Sequence, residues 1–239
     1  MSNPAILEVS NLHKVYRIFH QSVPVLKGIG LTIKRGEILA ILGQSGVGKS
    51  TLLNLLGLLD SPSEGKIVYQ GKDEEFRGQD LAALDLTEKA QVRNRVFGFV
   101  FQFYHLLPDL SVLENVLLPA MIRCSRKEFR RRRQELLERA RDLLDKVGIL
   151  ERQDFPPTRL SGGERQRAAI ARALFNQPEI VYCDEPTGNL DTQTGEKIHQ
   201  LILELNRNMG VSFVLVTHDQ SLAALASRRL HMKDGKFDS

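Results

Sequence analysis

The chain contains a glycine-rich stretch that fits the pattern G-x-x-x-x-G-K-[ST] at every fixed position, formed by Gly43, Gln44, Ser45, Gly46, Val47, Gly48, Lys49 and Ser50. The apolar run 36–42 before it predicts a buried strand, and the run 50–56 after it predicts a helix. The three glycines let the loop bend until successive N–H groups face one anion, and the helix N-terminus adds its positive dipole end. With strand and helix on the correct sides, the stretch predicts a phosphate-binding loop rather than a glycine-rich turn that binds nothing.

Three side chains at the end of this loop belong to a triphosphate site. The Lys49 ammonium is expected to reach the β- and γ-phosphates, and the Ser50 hydroxyl is expected to ligate Mg²⁺. Thr51 follows directly and is grouped with the nucleotide-facing positions. The sequence therefore predicts that the chain binds a nucleoside triphosphate together with Mg²⁺.

The 239 residues are enough for one large domain, and their formal net charge of +4 is too small to indicate a nucleic-acid partner. Cys124 and Cys183 lie far apart and outside any metal-binding motif, which is typical of a reducing compartment. No secretory signal is visible at the N-terminus, and no apolar run approaches the length of a membrane span. We therefore expect a cytoplasmic protein that contacts a membrane only through partners.

An aromatic residue upstream of the phosphate-binding loop is a candidate for contact with the base. The runs 6–9 and 25–33 alternate as strands do, and Tyr16 is expected in the loop that joins them. Its ring could stack on adenine, because an aromatic face suits any base, or it could be a half-buried strand tyrosine. The phosphate-binding loop favours stacking, with Phe19 as the second candidate.

Three predicted core strands end in residues that could act on a phosphate. Gln102 is either an ordinary strand-end amide or a side chain that reaches Mg²⁺ or the attacking water. Asp184 is placed to hold the Mg²⁺ water shell, and Glu185 after it is placed to polarise a water for attack on the γ-phosphate. His218 follows the third strand. Because ligands bind at the carboxyl ends of parallel strands, these residues are expected to converge on the phosphate-binding loop.

A pair of glycines opens another helix further along the chain. Ser161 and Glu164 stand as S-x-x-E, a capping box that predicts a helix over 165–174. Gly162 and Gly163 lie between them, and each weakens a first helical turn by up to about 1 kcal/mol relative to alanine. A close approach of phosphate to the backbone would require such glycines, so the sequence predicts a second anion site with both glycines exposed.

The region 125–147 has a helical pattern with its apolar residues on one face. The basic run Arg130–Arg133 beside that face could attract an anionic membrane surface, or it could be a solvated face with i, i+4 partners such as Glu135 and Arg139. Interspersed acidic residues and the low net charge favour the solvated face.

In their order along nearly the whole chain, these motifs resemble those of ATP-binding-cassette ATPases. The resemblance implies a P-loop α/β core with a mostly parallel sheet, an N-terminal antiparallel β-subdomain and a helical subdomain near 103–160, within one domain over 1–239. It also implies a head-to-tail dimer with two ATP molecules. Each would lie between the phosphate-binding loop of one copy and Ser161, Gly162 and Gly163 of the other.

By the same resemblance, each candidate side chain has a role at the ATP site. Tyr16 would stack on adenine, Gln102 would sense Mg²⁺ and the γ-phosphate, and Glu185 would be the general base. His218 would contact the γ-phosphate, and Asp191 would link the two sites across the interface. One departure is Glu164, where many cassettes carry glutamine, and it leaves the capping box possible.

Finer features resemble the branch of lipoprotein-releasing ATPases, namely the runs 101–109, 113–116, 161–167 and 186–191. This branch implies separate membrane subunits, with the ATPase held on the cytoplasmic face of the inner membrane. The partners' coupling helices would enter the loop Phe103–Asn115. Export ATPases of the MacB type and division ATPases of the FtsE type share much of the pattern and remain alternatives. A soluble DNA-repair or translation cassette is disfavoured, because neither a second cassette nor a coiled-coil insertion is visible.

Overall fold

The structure is a computed structural model that describes residues 3–19 and 21–238. Within these residues the strands are β1 (Ala5–Ile18), β2 (Gln21–Lys34), β3 (Ile38–Leu42), β4 (Glu64–Tyr69), β5 (Phe97–Phe101), β6 (Ile180–Asp184), β7 (Ser212–Thr217), β8 (Arg228–Lys233) and β9 (Lys236–Phe237). The helices are α1 (Lys49–Leu56), α2 (Leu86–Val96), α3 (Val112–Arg123), α4 (Arg126–Arg131), α5 (Arg133–Lys146), α6 (Gly162–Leu174), α7 (Thr192–Met209) and α8 (Gln220–Ala224).

The N-terminal part of the chain forms an antiparallel sheet in the order β2-β1-β4. The strands are longer than the sequence runs indicated, because β1 and β2 continue to pair far beyond their apolar segments. Tyr16 is therefore paired with Val23 inside this ladder, and the prediction that it lies in a connecting loop is wrong. This extension was not predicted because the distal half of the hairpin is largely exposed and lacks an apolar face.

The second sheet has the order β5-β6-β7-β3-β8-β9, and all its neighbouring strands are parallel except the last pair. Every residue of β3 and of β7 is buried, as expected for parallel strands that are covered on both faces. The carboxyl ends of β3, β5, β6 and β7 therefore meet at one edge of the sheet. This edge receives the residues predicted to act on phosphate.

Alternate residues of the central strands pack into two apolar cores on opposite faces of the sheet. Val181 and Phe213 belong to the core shared with α3, α5, α6 and α7, whereas Tyr182 and Val214 belong to the core shared with α1 and the antiparallel sheet. This arrangement confirms the predicted P-loop α/β fold with a mostly parallel sheet, an antiparallel subdomain and a group of helices. The single-domain boundary 1–239 stays a prediction.

The helical region differs in detail from its predicted form. The helix expected over 125–147 is divided at Arg132, whose guanidinium pairs with Glu128 and Glu135. Glu135 is thus bound to Arg132 rather than to Arg139. The Arg139 guanidinium instead donates from Nε to the Phe175 carbonyl at 2.6 Å.

The segment Phe103–Asn115 is a loop only as far as Ser111, which caps α3 in a capping box with Glu114. Helix α3 was not predicted, although the S-x-x-E spacing before an apolar run could have indicated it. None of the helices within residues 3–19 and 21–238 has the length and hydropathy that crossing a membrane requires.

Candidate nucleotide-binding site

The phosphate-binding loop joins β3 to α1, as its sequence predicted. Gly48 is the N-cap of α1 and has a φ of 103°, a left-handed conformation that favours glycine. A Cβ atom at Gly43 would lie 2.4 Å from the Met232 carbonyl oxygen, so that this position has no room for a side chain. Around Gly46 no atom of the described residues lies within 4 Å of such a Cβ, which leaves this part of the loop open to a ligand.

Lys49 begins α1, and its ammonium folds back over the loop. Nζ donates to the carbonyl oxygens of Gly43 and Gln44, at 2.7 and 2.9 Å, and the residue is only 8% exposed. These contacts hold a positive charge in the concave side of the loop. An anion that enters the loop would therefore meet a cation that is already in place.

The next residue along α1 connects the loop to the end of β6. The Ser50 hydroxyl donates to Asp184 Oδ1 at 3.1 Å. Burial raises the pKa of Asp184, and the Glu185 carboxylate beside it contributes in the same direction. A cation at this point would offset the burial of the Asp184 charge and its repulsion by the Glu185 carboxylate.

Glu185 has a φ of 46°, a left-handed conformation that is uncommon for a residue with a side chain. Its carboxylate accepts hydrogen bonds from the Thr217 hydroxyl at 3.1 Å and from the His218 backbone N–H at 3.4 Å. The His218 Nδ1 lies 2.8 Å from Glu185 Oε1, and because a carboxylate can only accept, this nitrogen carries the proton. The ends of β6 and β7 are thus joined directly through these side chains.

The residues predicted to converge on the phosphate-binding loop do so. A cleft of about 760 Å³ at the carboxyl edge of the sheet is lined by Val25, Gln44, Ser45, Gly46, Gly48, Lys49, Ser50, Thr51, Gln102, Asp184, Glu185 and His218. The sequence had placed all of these except Val25 at the site. Val25 comes from β2 of the antiparallel sheet, and nothing in the local pattern around it indicated this position.

Tyr16 is outside this group of lining residues. Its hydroxyl donates to Asp60 Oδ2 at 2.8 Å, and the Lys14 ammonium lies 4.7 Å from the ring centroid. Burial, together with the Asp60 carboxylate, raises the pKa of Tyr16. Phe19, the second candidate for the base, is almost fully exposed near the turn between β1 and β2.

The second predicted anion site lies at the start of α6. The capping box of Ser161 and Glu164 is confirmed, and the helix begins at Gly162, three residues earlier than predicted. The prediction that both glycines are exposed is wrong for Gly163. This residue is buried, and a Cβ atom on it would lie 2.5 Å from Thr194 Cγ2. The close packing of α6 against the start of α7 thus requires a glycine at this position, whether or not a phosphate also approaches it.

Asp191 is the N-cap of α7, where its carboxylate accepts from the Thr194 N–H at 3.0 Å. It is exposed, and neither it nor any residue of 161–164 lines the cleft described above. Within one chain, the start of α6 is therefore a separate feature from the phosphate-binding loop.

Two polar residues at the site were missed by the sequence reasoning. Thr217 is fully buried at the end of β7 and donates to Glu185. Asn189 exchanges hydrogen bonds with Gln102. Thr217 could have been found from its place directly before His218, but the contact of Asn189 with Gln102 joins residues 87 positions apart.

Comparisons with known proteins agree with this geometry. Residues 26–188 match the family model described as ABC transporter. The chain is 46% identical over 231 residues to the lipoprotein-releasing system ATP-binding protein LolD of Shewanella frigidimarina, covering 97% of this chain and 91% of the relative. It is also 46% identical over 235 residues to the protein of the same name from Shewanella denitrificans, with 97% and 95% coverage.

Solved structures give the same result. The dimeric structure of MJ0796, a bacterial ABC transporter cassette, has a TM-score of 0.84 and 38% identity, with 98% of this chain and 97% of that chain covered. A dimeric post-hydrolysis state of MJ0796 bound to ADP and Pi has a TM-score of 0.79 and 39% identity at the same coverage.

A loop of backbone N–H groups, a buried lysine and carboxylates at the carboxyl edge of a parallel sheet define a nucleotide-binding P-loop ATPase. Together with the match over most of its length, these features establish that the chain belongs to the ABC transporter family. Its activity is ATP hydrolysis coupled to transport.

Proposed function

We propose that the chain is the ATP-hydrolysing subunit of a system that releases lipoproteins from the inner membrane towards the outer membrane. The observation that carries this proposal is the 46% identity, over nearly the full length of both chains, to two relatives named for lipoprotein release. These relatives do not favour the MacB-type and FtsE-type alternatives.

Mg²⁺ fits the chemistry of the cleft. The Ser50 hydroxyl, the Asp184 carboxylate and the Gln102 amide all line it, and oxygen atoms of this kind are the ligands that Mg²⁺ prefers. The raised pKa of Asp184 means that its charge is poorly compensated by the protein alone. Ser50, Asp184 and Gln102 would hold the Mg²⁺ ion, which would supply positive charge that offsets the negative charge developing on the phosphate.

Glu185 is the proposed general base, and His218 is proposed to contact the γ-phosphate. The Glu185 side chain is positioned by Thr217 and His218, whose hydroxyl and backbone N–H both donate to Oε2, whereas Oε1 meets only the His218 ring and keeps a lone pair that can accept a proton from water. Lys49 and the backbone N–H groups of its loop would hold the phosphates. Catalysis would then depend on positioning and on electrostatic stabilisation of the transferred phosphoryl group.

We further propose that two copies assemble head to tail, so that Ser161, Gly162 and Gly163 of each copy face the ATP bound by the other, with Asp191 at the interface. Two observations support this arrangement. The start of α6, with Gly162 and Gly163 in its first turn, does not line the cleft of its own chain within the described residues, and the similar cassette MJ0796 is described as dimeric. Stacking of Tyr16 on adenine is part of the same proposal.

The membrane subunits are proposed to dock at the loop that begins at Phe103. Phe103 is 69% exposed and Leu107 is 47% exposed, so that this loop presents two large apolar side chains that a partner surface could cover. The chain would accordingly be held on the cytoplasmic face of the inner membrane through these partners.

The test is reconstitution of the chain with its membrane subunits in vesicles that carry a labelled lipoprotein. ATP-dependent release into the soluble fraction is expected, and Phe103→Ser should lower co-purification with the membrane subunits without changing basal ATP hydrolysis. ATP hydrolysis without release, in the presence of all partners, would contradict the proposed cargo and favour a regulatory role of the FtsE type.

A further inference from the structure

Helix α7 carries a buried histidine that has no role in the chemistry proposed above. His199 is 4% exposed, and its Nε2 lies 3.2 Å from Thr187 Oγ1 and 3.5 Å from Asp219 Oδ2. Thr187 belongs to the turn that follows Glu185, and Asp219 follows His218 directly. One imidazole from a helix therefore contacts both loops that hold the candidate catalytic side chains.

The same two loops also contact each other on the side that carries Glu185. The Thr217 hydroxyl donates to Glu185 Oε2 at 3.1 Å, and Thr217 Oγ1 accepts from the Asp219 N–H at 3.0 Å. The Gly188 N–H donates to the Glu185 carbonyl at 3.1 Å, which ties Glu185 to the turn that contains Thr187. His199 completes this ring of contacts, and it is the member that comes from outside the two loops.

We infer that His199 is a positioning residue, which sets the spacing between the loop carrying Glu185 and the loop carrying His218. Within the described residues, His199 is not part of the cleft lining, and its hydrogen bond and ion pair go to Thr187 and Asp219 rather than to the phosphate-binding loop. The inference rests on the proposed roles of Glu185 and His218. It concerns what holds the Glu185 and His218 side chains at a fixed distance from each other, which the proposed reaction does not specify.

The two partners of His199 leave it little freedom. Asp219 uses Oδ1 to cap α8, accepting from the N–H groups of Ser221 and Leu222, so Oδ2 is the oxygen available to the imidazole. Burial lowers the pKa of His199, although Asp219 and Glu196 oppose this effect. The hydrogen bond of His199 Nε2 is the one with the Thr187 hydroxyl at 3.2 Å, and the Asp219 carboxylate at 3.5 Å adds an electrostatic contact.

Helix α7 also approaches Thr187 through its backbone. A Cβ atom on Gly195, one helical turn before His199, would lie 3.7 Å from the Thr187 Cβ. The turn after Glu185 thus rests against the same face of α7 that presents His199. Removing the imidazole should leave the helix in place and leave the spacing of the loops to their direct contacts alone, which makes it less well defined.

The experiment compares His199→Phe, which keeps a planar aromatic ring of somewhat larger size and removes the polar atoms, with His199→Gln, which keeps a donor at a similar reach. Ile202→Val, a change of a buried side chain on the same helix that has no polar group, is the matched control. We expect His199→Phe to lower kcat by on the order of tenfold to a hundredfold, the scale of a small misplacement of reacting groups. ATP affinity should stay within about twofold, because the phosphate-binding loop is untouched. His199→Gln should recover most of kcat.

A double-mutant cycle with Thr187→Val separates positioning from general loss of stability. If the two residues act together, the double variant should lose little more kcat than the worse single variant. Independent, additive losses, or a His199→Phe enzyme with the kcat of Ile202→Val, would overturn the inference. Glu185→Gln is measured in parallel: if it hydrolyses ATP normally, the proposed function fails, whereas a slow Glu185→Gln beside a normal His199→Phe removes only the positioning role.

Discussion

Gln102 and Asn189 hold each other's loops through two hydrogen bonds. Gln102 Nε2 donates to Asn189 Oδ1 at 3.2 Å, and Asn189 Nδ2 donates to the Gln102 carbonyl oxygen at 2.9 Å. The first bond uses the Gln102 side chain and the second uses its backbone. Neither bond uses Gln102 Oε1, so a cation held by this oxygen would be connected through the same amide to the turn that leads to Asp191, which links the occupancy of the cleft to a surface outside it.

This asymmetry predicts unequal effects of two substitutions. Asn189→Ala removes both hydrogen bonds, whereas Gln102→Ala removes only the one made by the side chain. At about 0.5–1.5 kcal/mol for each bond, and toward the low end for exposed groups, Asn189→Ala should lower the free energy of unfolding more than Gln102→Ala. Urea denaturation without nucleotide measures the free energy of unfolding of both variants. Adding Gln102→Ala to Asn189→Ala should cost little further, and an additive second loss would contradict the pairing.

Glu185→Gln should keep ATP binding and slow hydrolysis by roughly 10²–10⁴-fold, the usual scale for losing a general base. The glutamine amide has nearly the same shape but cannot take a proton from water at neutral pH. Single-turnover hydrolysis and equilibrium binding of ATP separate the two effects. Glu204→Gln, an exposed change on α7, is the control and should behave as the unaltered chain. Unchanged turnover in Glu185→Gln would remove this residue from the role.

Lys49→Ala should weaken ATP binding itself. Hydrogen bonds to charged groups contribute about 1.5–3 kcal/mol, which corresponds to roughly a 10- to 150-fold loss of affinity. The change should also destabilise the nucleotide-free chain, because the Gly43 and Gln44 carbonyl groups lose their donor. Calorimetric titration with ATP and thermal unfolding without nucleotide test the two effects. Lys66→Ala, at an exposed position on β4, is the control, and equal ATP affinity in both variants would refute the phosphate contact.

Gly163→Ala should destabilise the chain in a way that depends on Thr194. The added Cβ would lie 2.5 Å from Thr194 Cγ2, and overpacking of this kind typically costs about 1–3 kcal/mol. Thr194→Ser removes the obstructing methyl group and keeps the hydroxyl. The cost of Gly163→Ala should therefore be smaller in the Thr194→Ser background, as measured by denaturant unfolding. The same cost in both backgrounds would mean that the contact with Thr194 is not the cause.

The lowered pKa of His199 predicts a dependence of stability on pH. In the unfolded chain this group titrates near 6.5, and in the folded chain it titrates at a lower pH. Between these values the unfolded state binds more protons, so the stability is fully present above the unfolded pKa and falls as the pH falls below it. The free energy of unfolding of the unaltered chain should thus decline below about pH 6.5 more steeply than that of His199→Gln. Parallel curves for the two proteins would contradict this prediction.

The location of the nucleotide site could be predicted from the sequence because its parts are local. A G-x-x-x-x-G-K-[ST] loop specifies its own backbone, and Gln102, Asp184 and His218 each follow an apolar strand directly. Parallel strands place their carboxyl ends together, so the residues that follow them meet without further information. The capping box of Ser161 and Glu164 could likewise be predicted from the sequence, because its partners are three positions apart.

The tertiary structure alone decided the contacts between residues that are far apart in the sequence. Gly163 is buried against Thr194, Tyr16 is bound to Asp60, and His199 lies between Thr187 and Asp219. Each of these contacts depends on how a helix or hairpin packs on its neighbours, and short-range periodicity specifies which face of an element is buried but not the residue it will meet. Local chemistry therefore determines where this chain binds phosphate, and long-range packing determines how the side chains around that phosphate are held.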